Sequence, residues 1–264
     1  MRLHGVRHRH RGTGWVLDGV DLRTVPGRPV VVTGGNGTGK STLLRIAAGV
    51  LRPTAGVVAG RPAVVGLLPT PFPTTRLSVR RLLHHLDAVH GLRRGAALDV
   101  LDHLGVDDDL DGPVDGLSAG TRTKVGLAQA LAVHRGLVVL DEPWTALDDE
   151  AADAVGALLA APAPREVLVA DHSGRAAALP GAVVHRLADG TLTRVVPRPV
   201  GRTRIAVSCD GRTAAALPPV TTRRHEGDVL VVTVPAPDVD RWLASALAAG
   251  CSVVDVTRLP ERTA

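Results

Sequence analysis

The sequence predicts an α/β fold with a β-rich N-terminal region, a mostly parallel sheet, an inserted helical subdomain and a small C-terminal β/α appendage. Two apolar runs indicate buried parallel strands, Val30–Val32 before a glycine-rich loop and Leu137–Leu140 before two acidic residues. Residues 78–134 carry leucines and valines at helical spacing, which predicts the inserted helices. The chain has 264 residues, 45% of them hydrophobic, and is long enough for one large domain with an appendage.

Short strands separated by turns are expected at the start of the chain, because glycines and Pro26-Gly27 interrupt the apolar runs there. Their expected positions are Leu3–Val6, Trp15–Leu17 and Leu22–Val25. After the glycine-rich loop, a helical pattern runs from Thr42 to Ala48. Pro69–Pro73 is rich in proline and cannot be regular structure, so it is expected to lead into a helical subdomain at about residues 70–135.

Strands and helices alternate in the second half of the chain. An apolar strand at Val167–Ala170 and a hairpin around Asp189-Gly190 are expected to extend the sheet. Residues 197–202 are expected to form a linker, and the strands and single helix beyond it predict a small domain. We therefore expect a first domain over residues 1–196 and a second domain over residues 197–264.

Composition limits the classes of function. Lys and Arg number 31 against 26 Asp and Glu, but no basic block alternates with aromatic residues, so no nucleic-acid partner is expected. No apolar run approaches the length of a membrane span, and no apolar segment follows the basic N-terminus as in a secretory signal. A cytoplasmic protein is therefore expected. Cys209 and Cys251 lack the spacing of metal ligands.

The glycine-rich loop after Val30–Val32 has the residues of a phosphate-binding loop. Glycines allow successive backbone N–H groups to converge on an anion, and the N-terminus of the following helix favours negative charge. Lys40 can reach the β- and γ-phosphates, and the Ser41 hydroxyl can hold Mg²⁺. An ordinary glycine-rich turn would not explain the adjacent Lys40 and Ser41. The expected nucleotide-binding residues here are Gly34, Gly35, Asn36, Gly37, Thr38, Gly39, Lys40, Ser41 and Thr42.

Asp141 and Glu142 follow the second apolar strand, at the edge where a parallel sheet places its ligand-binding groups. Asp141 can hold Mg²⁺ or its water shell, and Glu142 can polarise an attacking water. An Asp-Glu pair alone is a weak signal. After a phosphate-binding loop at this distance, the pair indicates hydrolysis of a nucleoside triphosphate.

Taken in order, these motifs resemble those of the nucleotide-binding subunit of ATP-binding cassette (ABC) transporters. Gly34–Ser41 resembles the family's Walker A loop, and Leu137–Glu142 resembles its Walker B strand. Leu117–Thr121 resembles the LSGGQ signature, Thr145–Asp148 the D-loop and His172 the switch histidine. The resemblance implies the ABC ATPase form of the P-loop NTPase fold.

The resemblance covers about residues 1–195 and implies Mg²⁺-dependent ATP hydrolysis that drives transport through a separate transmembrane permease subunit. Two cassettes, identical or different, would close head to tail around two ATP molecules at the inner face of the membrane. The implied site residues are catalytic Lys40, Glu142 and His172, the Mg²⁺ ligands Ser41 and Asp141, and Ser118 and Gly120 at the other cassette's ATP. The short helical insert and small appendage resemble bacterial exporter ATPases, so export is expected.

The sequence departs from the family pattern at Ala119 and Thr121, which replace a glycine and the glutamine of the signature, and at two positions expected near the nucleotide. Thr70 stands where the family usually has a Gln near the Mg²⁺, and its hydroxyl reaches less far. The chain has no Tyr to stack on adenine, so His10 is expected to bind the base by its position. Trp15 has the larger stacking surface, but it is expected to pack in the core beside its strand.

Two other classes of protein remain open. One is a soluble ABC ATPase that is not coupled to transport, and the other is a P-loop phosphotransferase such as a small-molecule kinase. The segment between Gly34 and Leu117 is too short for the coiled coil of genome-maintenance ABC ATPases, and translation factors carry two cassettes where this chain has one. A phosphotransferase would not explain Ser118, Asp148 or His172.

Overall fold

The computed structural model describes residues 1–10, 12, 14–106, 110–195, 202–210, 213–214, 217–218, 220, 222–235 and 238–259. The chain divides into two units, Met1–Val195 and Val196–Ala264. The domain boundary expected between residues 196 and 197 lies outside the described residues, and it stays a prediction.

A six-stranded sheet forms the centre of the first unit. Its strands are β3 (Val30–Thr33), β5 (Val65–Leu68), β6 (Gly136–Asp141), β7 (Arg165–Ala170), β8 (Val183–Ala188) and β9 (Thr191–Val195). The strand order is β5-β6-β7-β3-β8-β9, and every neighbouring pair is parallel except the hairpin of β8 and β9. The mostly parallel sheet expected from the sequence is confirmed.

A separate antiparallel sheet contains the N-terminal strands. Its strands are β1 (Arg2–His8), β2 (Leu17–Arg23) and β4 (Ala55–Ala59), in the order β2-β1-β4. The strand expected at Leu22–Val25 is wrong, since Leu22 belongs to β2 and Val25 forms only an isolated bridge with Arg28. The backbone turns at Val25 because Pro26 and Gly27 follow it, and Gly27 has a φ of 74°.

Among the described residues of the first unit, five α-helices accompany these sheets. They are α1 (Lys40–Ala48), α2 (Val79–Val89), α3 (Ala96–His103), α4 (Ala119–Leu131) and α5 (Asp149–Ala160). Helices α2 to α4 form the helical subdomain around a core that includes Leu83, Leu101 and Val125. Along β6, Val138 and Leu140 pack into one apolar cluster while their neighbours pack into another, so both faces of the sheet are covered.

Two glycines allow α4 to lie directly on the segment around β5. A Cβ on Gly66 would lie 2.5 Å from the carbonyl oxygen of Ala130, and a Cβ on Gly126 would lie 2.6 Å from the Phe72 ring. Both distances are below normal contact, so neither position accepts a side chain without a shift of its neighbour. Helix α4 is therefore held against β5 and the proline-rich segment after it.

The described residues of the second unit include a four-stranded antiparallel sheet and a helix of ten residues. Its elements are β10 (Arg202–Ser208), β11 (Thr222–Glu226), β12 (Val229–Pro235), α6 (Val239–Ala248) and β13 (Ser252–Arg258). The strand order is β11-β12-β10-β13, and Ile205, Val232 and Trp242 are among the residues of its core. Strand β11 is not expected from the sequence, because its residues TRRHE show no apolar alternation. None of the helices in the described ranges has the length and apolar character needed to cross a bilayer.

Arg165, at the start of β7, is a buried cation that joins the ends of two helices. Its guanidinium donates to the carbonyl oxygens of Leu131 at 2.8 Å and Leu158 at 2.5 Å, near the ends of α4 and α5. Only 6% of the residue is exposed, and burial lowers the pKa of its guanidinium. The contacts satisfy carbonyl groups that a helix end leaves without intrahelical donors.

Replacing Arg165 with Met is expected to lower the free energy of unfolding by about 1–3 kcal/mol for each carbonyl group left without a donor. Urea unfolding followed by circular dichroism measures this change. The matched control is Arg135→Met, which removes an exposed arginine and is expected to change stability by less than about 0.5 kcal/mol. Equal stability of the two variants would contradict the structural role of Arg165.

Candidate functional site

The glycine-rich loop joins the carboxyl end of β3 to the N-terminus of α1. Lys40 is the first residue of α1, and its Nζ donates to the carbonyl oxygens of Gly34 at 2.9 Å and Gly35 at 3.0 Å. Gly39 caps the helix without any side-chain hydrogen bond to its first N–H groups. These N–H groups and the Lys40 ammonium are the donors that a phosphate group requires.

Two glycines of the loop occupy positions that other residues cannot take. Gly34 has a φ of 154°, and a Cβ there would lie 2.5 Å from the carbonyl oxygen of Leu187. Gly39 has a φ of 102°, and a Cβ there would lie 2.8 Å from Cγ1 of Val16. The two ends of the loop therefore pack closely against Leu187 and Val16, whereas Asn36 and Gly37 at its tip are exposed. This arrangement fits a cradle for phosphate groups.

The register of the parallel strands brings the acidic residues to the same edge of the sheet. Val32 in β3 pairs with Ala170 in β7, and Ala170 pairs with Asp141 in β6. Asp141 is 5% exposed, and its Oδ1 is buried without a hydrogen-bond partner among the described residues. A buried carboxylate oxygen with no donor is costly unless a cation or water meets it. Together with the Ser41 hydroxyl on α1, it offers the oxygen ligands that Mg²⁺ prefers.

Glu142 lies between the phosphate-binding lysine and the expected switch histidine. Its Oε1 is 3.8 Å from Lys40 Nζ, and its Oε2 is 2.5 Å from Nδ1 of His172. Glu142 has a φ of 52°, in the left-handed region that is uncommon outside glycine. Its backbone N–H donates to the carbonyl oxygen of Ala170, which fixes the turn at the end of β6. The structure thus brings Lys40, Asp141, Glu142 and His172 together.

Asp171, which the sequence analysis did not single out, holds the turn that carries His172. Its carboxylate accepts hydrogen bonds from the Ser173 N–H and hydroxyl at 2.8 and 2.6 Å and from the Ala176 N–H at 2.9 Å. Asp171 is 1% exposed, whereas the His172 side chain is 63% exposed. The Asp-His-Ser sequence was the available signal, because an Asp two residues before a Ser favours such a turn.

Thr70 lies beside this group but faces the backbone. Its hydroxyl donates to the carbonyl oxygen of Asp141 at 2.5 Å, so it fixes the end of β6. The residue that replaces the expected Gln therefore touches the Asp141 backbone and supports the carboxylate only indirectly.

Ser118 and Gly120 lie at the N-terminus of α4. The Ser118 hydroxyl oxygen accepts a hydrogen bond from the Thr121 N–H at 3.0 Å, and the Ser118 side chain is exposed. A Cβ on Gly120 would lie 3.0 Å from the carbonyl oxygen of Ala146, so the helix start touches the segment that resembles a D-loop. Among the described residues, no hydrogen bond joins Ser118 or Gly120 to the phosphate-binding loop.

Lys124 of α4 ties that helix to the same segment, because its Nζ lies 2.9 Å from Oδ2 of Asp148. The Ala151 N–H, at the start of α5, lowers the pKa of Asp148 most, and Lys124 lowers it further. The contact therefore connects the starts of α4 and α5. The sequence analysis did not single out Lys124.

His10 and Trp15 lie near the start of β2, outside the group around Glu142. The His10 ring lies 5.0 Å from the His8 ring, edge to face. The expectation that Trp15 packs in the core is wrong: the residue is 39% exposed, with the guanidinium carbons of Arg7 and Arg9 at 4.6 and 5.1 Å from its ring centroid. It precedes β2, where the backbone does not direct it inward.

Residues 17–145 match the family model described as ABC transporter. An aliphatic sulfonates import ATP-binding protein, SsuB 1 of Rhodococcus jostii (strain RHA1), is 37% identical over 211 residues, which cover 77% of this chain and 85% of the relative. The zinc import ATP-binding protein ZnuC of Pseudomonas entomophila (strain L48) is 37% identical over 134 residues, or 50% of this chain. The match spans about half the length of the zinc-import relatives, 52% for this one.

Solved structures of ATP-binding cassettes share the fold. A dimeric cassette in a post-hydrolysis state, bound to ADP and Pi, superposes with a TM-score of 0.64 at 21% sequence identity, and the match covers 74% of this chain and 98% of that one. The structural similarity therefore includes the architecture of the first unit as well as the central sequence motifs. By sequence and by fold, the chain belongs to the ABC transporter family.

Proposed function

We propose that this chain is the ATP-binding and ATP-hydrolysing subunit of an ABC transporter and that it works with a separate transmembrane permease subunit. The observation that carries the proposal is the Glu142 carboxylate, placed between Lys40 and His172 at the mouth of the phosphate-binding loop. A merely structural glycine-rich turn would not require this group of side chains at the same sheet edge.

The phosphate groups of ATP would lie in the loop of residues 34–42. Backbone N–H groups at the start of α1 and the Lys40 ammonium would meet the β- and γ-phosphates, and Thr38 supports the loop by donating to the Gly35 carbonyl oxygen at 2.9 Å. Ser41 and Asp141 would hold Mg²⁺, which neutralises charge on the phosphate oxygens. The unpartnered Oδ1 of Asp141 supports this assignment.

Glu142 would polarise the water that attacks the γ-phosphate. Its Oε2 is already engaged by His172, so the histidine would orient the carboxylate, while Oε1 faces Lys40 at 3.8 Å. Burial of Asp171 and its hydrogen bonds to the turn keep His172 in place. Lys40, Glu142 and His172 are therefore the proposed catalytic residues.

A second cassette would complete the site. Ser118 is exposed at the N-terminus of α4, where the partial positive charge of a helix end suits a γ-phosphate. Since no hydrogen bond among the described residues joins Ser118 to its own phosphate-binding loop, we propose that it serves the ATP of the partner cassette in a head-to-tail dimer. The cassette structure described above is dimeric, which supports the presence of a partner cassette.

The permease would hold the chain at the inner face of the membrane. The export direction expected from the short helical insert and the small appendage is not supported by the two relatives described above, since both are named as import proteins. Their names favour import, and the direction of transport stays a prediction.

The catalytic proposal is tested by Glu142→Gln, which keeps the shape of the side chain but removes its charge. ATP hydrolysis is expected to fall by about 10²–10⁴-fold, the usual contribution of a general base, while ATP binding persists. Gel filtration with Mg-ATP is then expected to show a stable dimer. Lys40→Ala is the control, since it should neither bind ATP tightly nor dimerise. Wild-type turnover by Glu142→Gln would exclude the proposed role.

The contact of Thr70 predicts a difference between two small substitutions. Thr70→Val removes the donor to the Asp141 carbonyl oxygen and is expected to lower ATP turnover several-fold, whereas Thr70→Ser keeps the hydroxyl and most of the rate. Steady-state ATPase rates are measured against Mg²⁺ concentration. Identical curves for both variants and the wild type would show that this hydroxyl does not support the site.

His10 stays the predicted base-stacking residue, and Trp15 provides its comparison. His10→Ala is expected to weaken ATP binding by about 1–3 kcal/mol, the usual range for loss of base stacking. Trp15→Ala is expected to weaken it less, because Arg7 and Arg9 already contact the Trp15 ring. Fluorescent-nucleotide titration measures both affinities. A larger loss for Trp15→Ala would assign the stacking role to Trp15 instead.

A further inference from the structure

An open cavity of about 590 Å³ lies at the opposite end of β3 from the phosphate-binding loop. Val30, the first residue of β3, and Val183, the first residue of β8, are among its walls, together with residues at the end of β2. The volume falls within the usual range for small-molecule sites. Nothing in the proposed ATPase mechanism uses this cavity.

The lining is strongly cationic. Arg2, Arg23, Arg28 and Arg194 all border the cavity, whereas Asp21 is the one acidic residue among the described residues that line it. The Asp21 carboxylate is already engaged, since it accepts a hydrogen bond from the Gly5 N–H at 3.0 Å and lies 2.8 Å from the His4 ring nitrogen. In the part of the chain that the structure describes, none of the four arginines forms an ion pair.

His185 adds a buried polar group to the same wall. Its Nδ1 is buried and has no hydrogen-bond partner among the described residues. Burial lowers the pKa of His185, and the positive charge of Arg194 lowers it further, whereas a hydrogen bond to the Val183 backbone opposes the shift. Because no carboxylate among the described residues pairs with Arg194, an incoming anion would meet its charge without displacing one.

We infer that this cavity binds a soluble small molecule that carries two or more phosphoryl groups. Guanidinium groups match phosphate oxygens in paired hydrogen bonds, and four arginines around one opening favour a ligand with several oxyanion groups over a single phosphate. Val25 and Val183 line the same cavity, are only partly buried and offer a small apolar surface to the organic part of the ligand. The site does not depend on ATP hydrolysis at the phosphate-binding loop.

Tripolyphosphate is the probe, and the full chain carrying Lys40→Ala is the background, because this substitution weakens phosphate binding at the loop. Isothermal titration calorimetry is expected to show one tripolyphosphate site. Adding Arg28→Glu and Arg194→Glu is expected to lower the affinity at least 100-fold, since each arginine contributes charge-assisted hydrogen bonds. Arg135→Glu in the same background reverses one charge, half of the change made by the pair, at an exposed residue outside the cavity, and its expected effect is less than about threefold.

If charge reversal prevents folding, the double variant Arg28→Gln and Arg194→Gln takes its place, because it removes the two charges without reversing them. Circular dichroism checks that this variant is folded. In an otherwise wild-type chain this pair is expected to leave the ATPase rate unchanged, which separates the cavity from the phosphate-binding loop. Equal tripolyphosphate affinities for the arginine pair and the Arg135 control would overturn the inference. Absence of tripolyphosphate binding in the Lys40→Ala background would also overturn it, as would arginine-dependent binding to anionic phospholipid vesicles without binding of tripolyphosphate.

Discussion

The candidate nucleotide site depends on the pairing register of three parallel strands. Val32, Ala170 and Asp141 form one row across β3, β7 and β6. The segments that follow the three strands therefore leave the sheet at the same edge. A slip of one residue in any strand would turn its side chains to the other face of the sheet. The apolar clusters on both faces of the sheet oppose such a slip, and the core therefore positions the chemical groups.

Lys40 shows that the loop is prepared for an anion before one binds. Its ammonium donates to the carbonyl oxygens of Gly34 and Gly35, so a cation is already held within the loop. A phosphate group would compete with these carbonyls for the ammonium, so the net gain on binding is smaller than the full strength of the new contacts. The nearby carboxylate of Glu142 adds a second competitor at 3.8 Å.

Local patterns predicted those parts of the molecule that depend on neighbouring residues in the chain. The phosphate-binding loop and the strand ending in Asp141 could be found because glycines, apolar runs and charged residues are adjacent there. The hydrogen bond of Thr70 to Asp141 joins residues far apart in sequence, and no local pattern encodes it. Arg165 would be expected on the surface by its charge, yet the ends of two helices enclose it. Trp15 was misplaced because apolar character alone does not fix a direction before a strand begins.

The close approach of α4 to β5 at Gly66 and Gly126 has a consequence for how the molecule can move. At Gly66 the backbone of β5 lies directly against the Ala130 backbone of α4, so this spacing does not depend on adjustable side chains, whereas Gly126 lies against the side chains of Phe72 and Leu68. The backbone contact at Gly66 transmits displacement with little slack, because no rotamer change can absorb it. Helix α4 begins next to Ser118, and Phe72 follows Thr70 by two residues. A small shift of β5 and the proline-rich segment that follows it would therefore displace α4 as a whole. The displacement would include the exposed N-terminus of α4 beside Ser118.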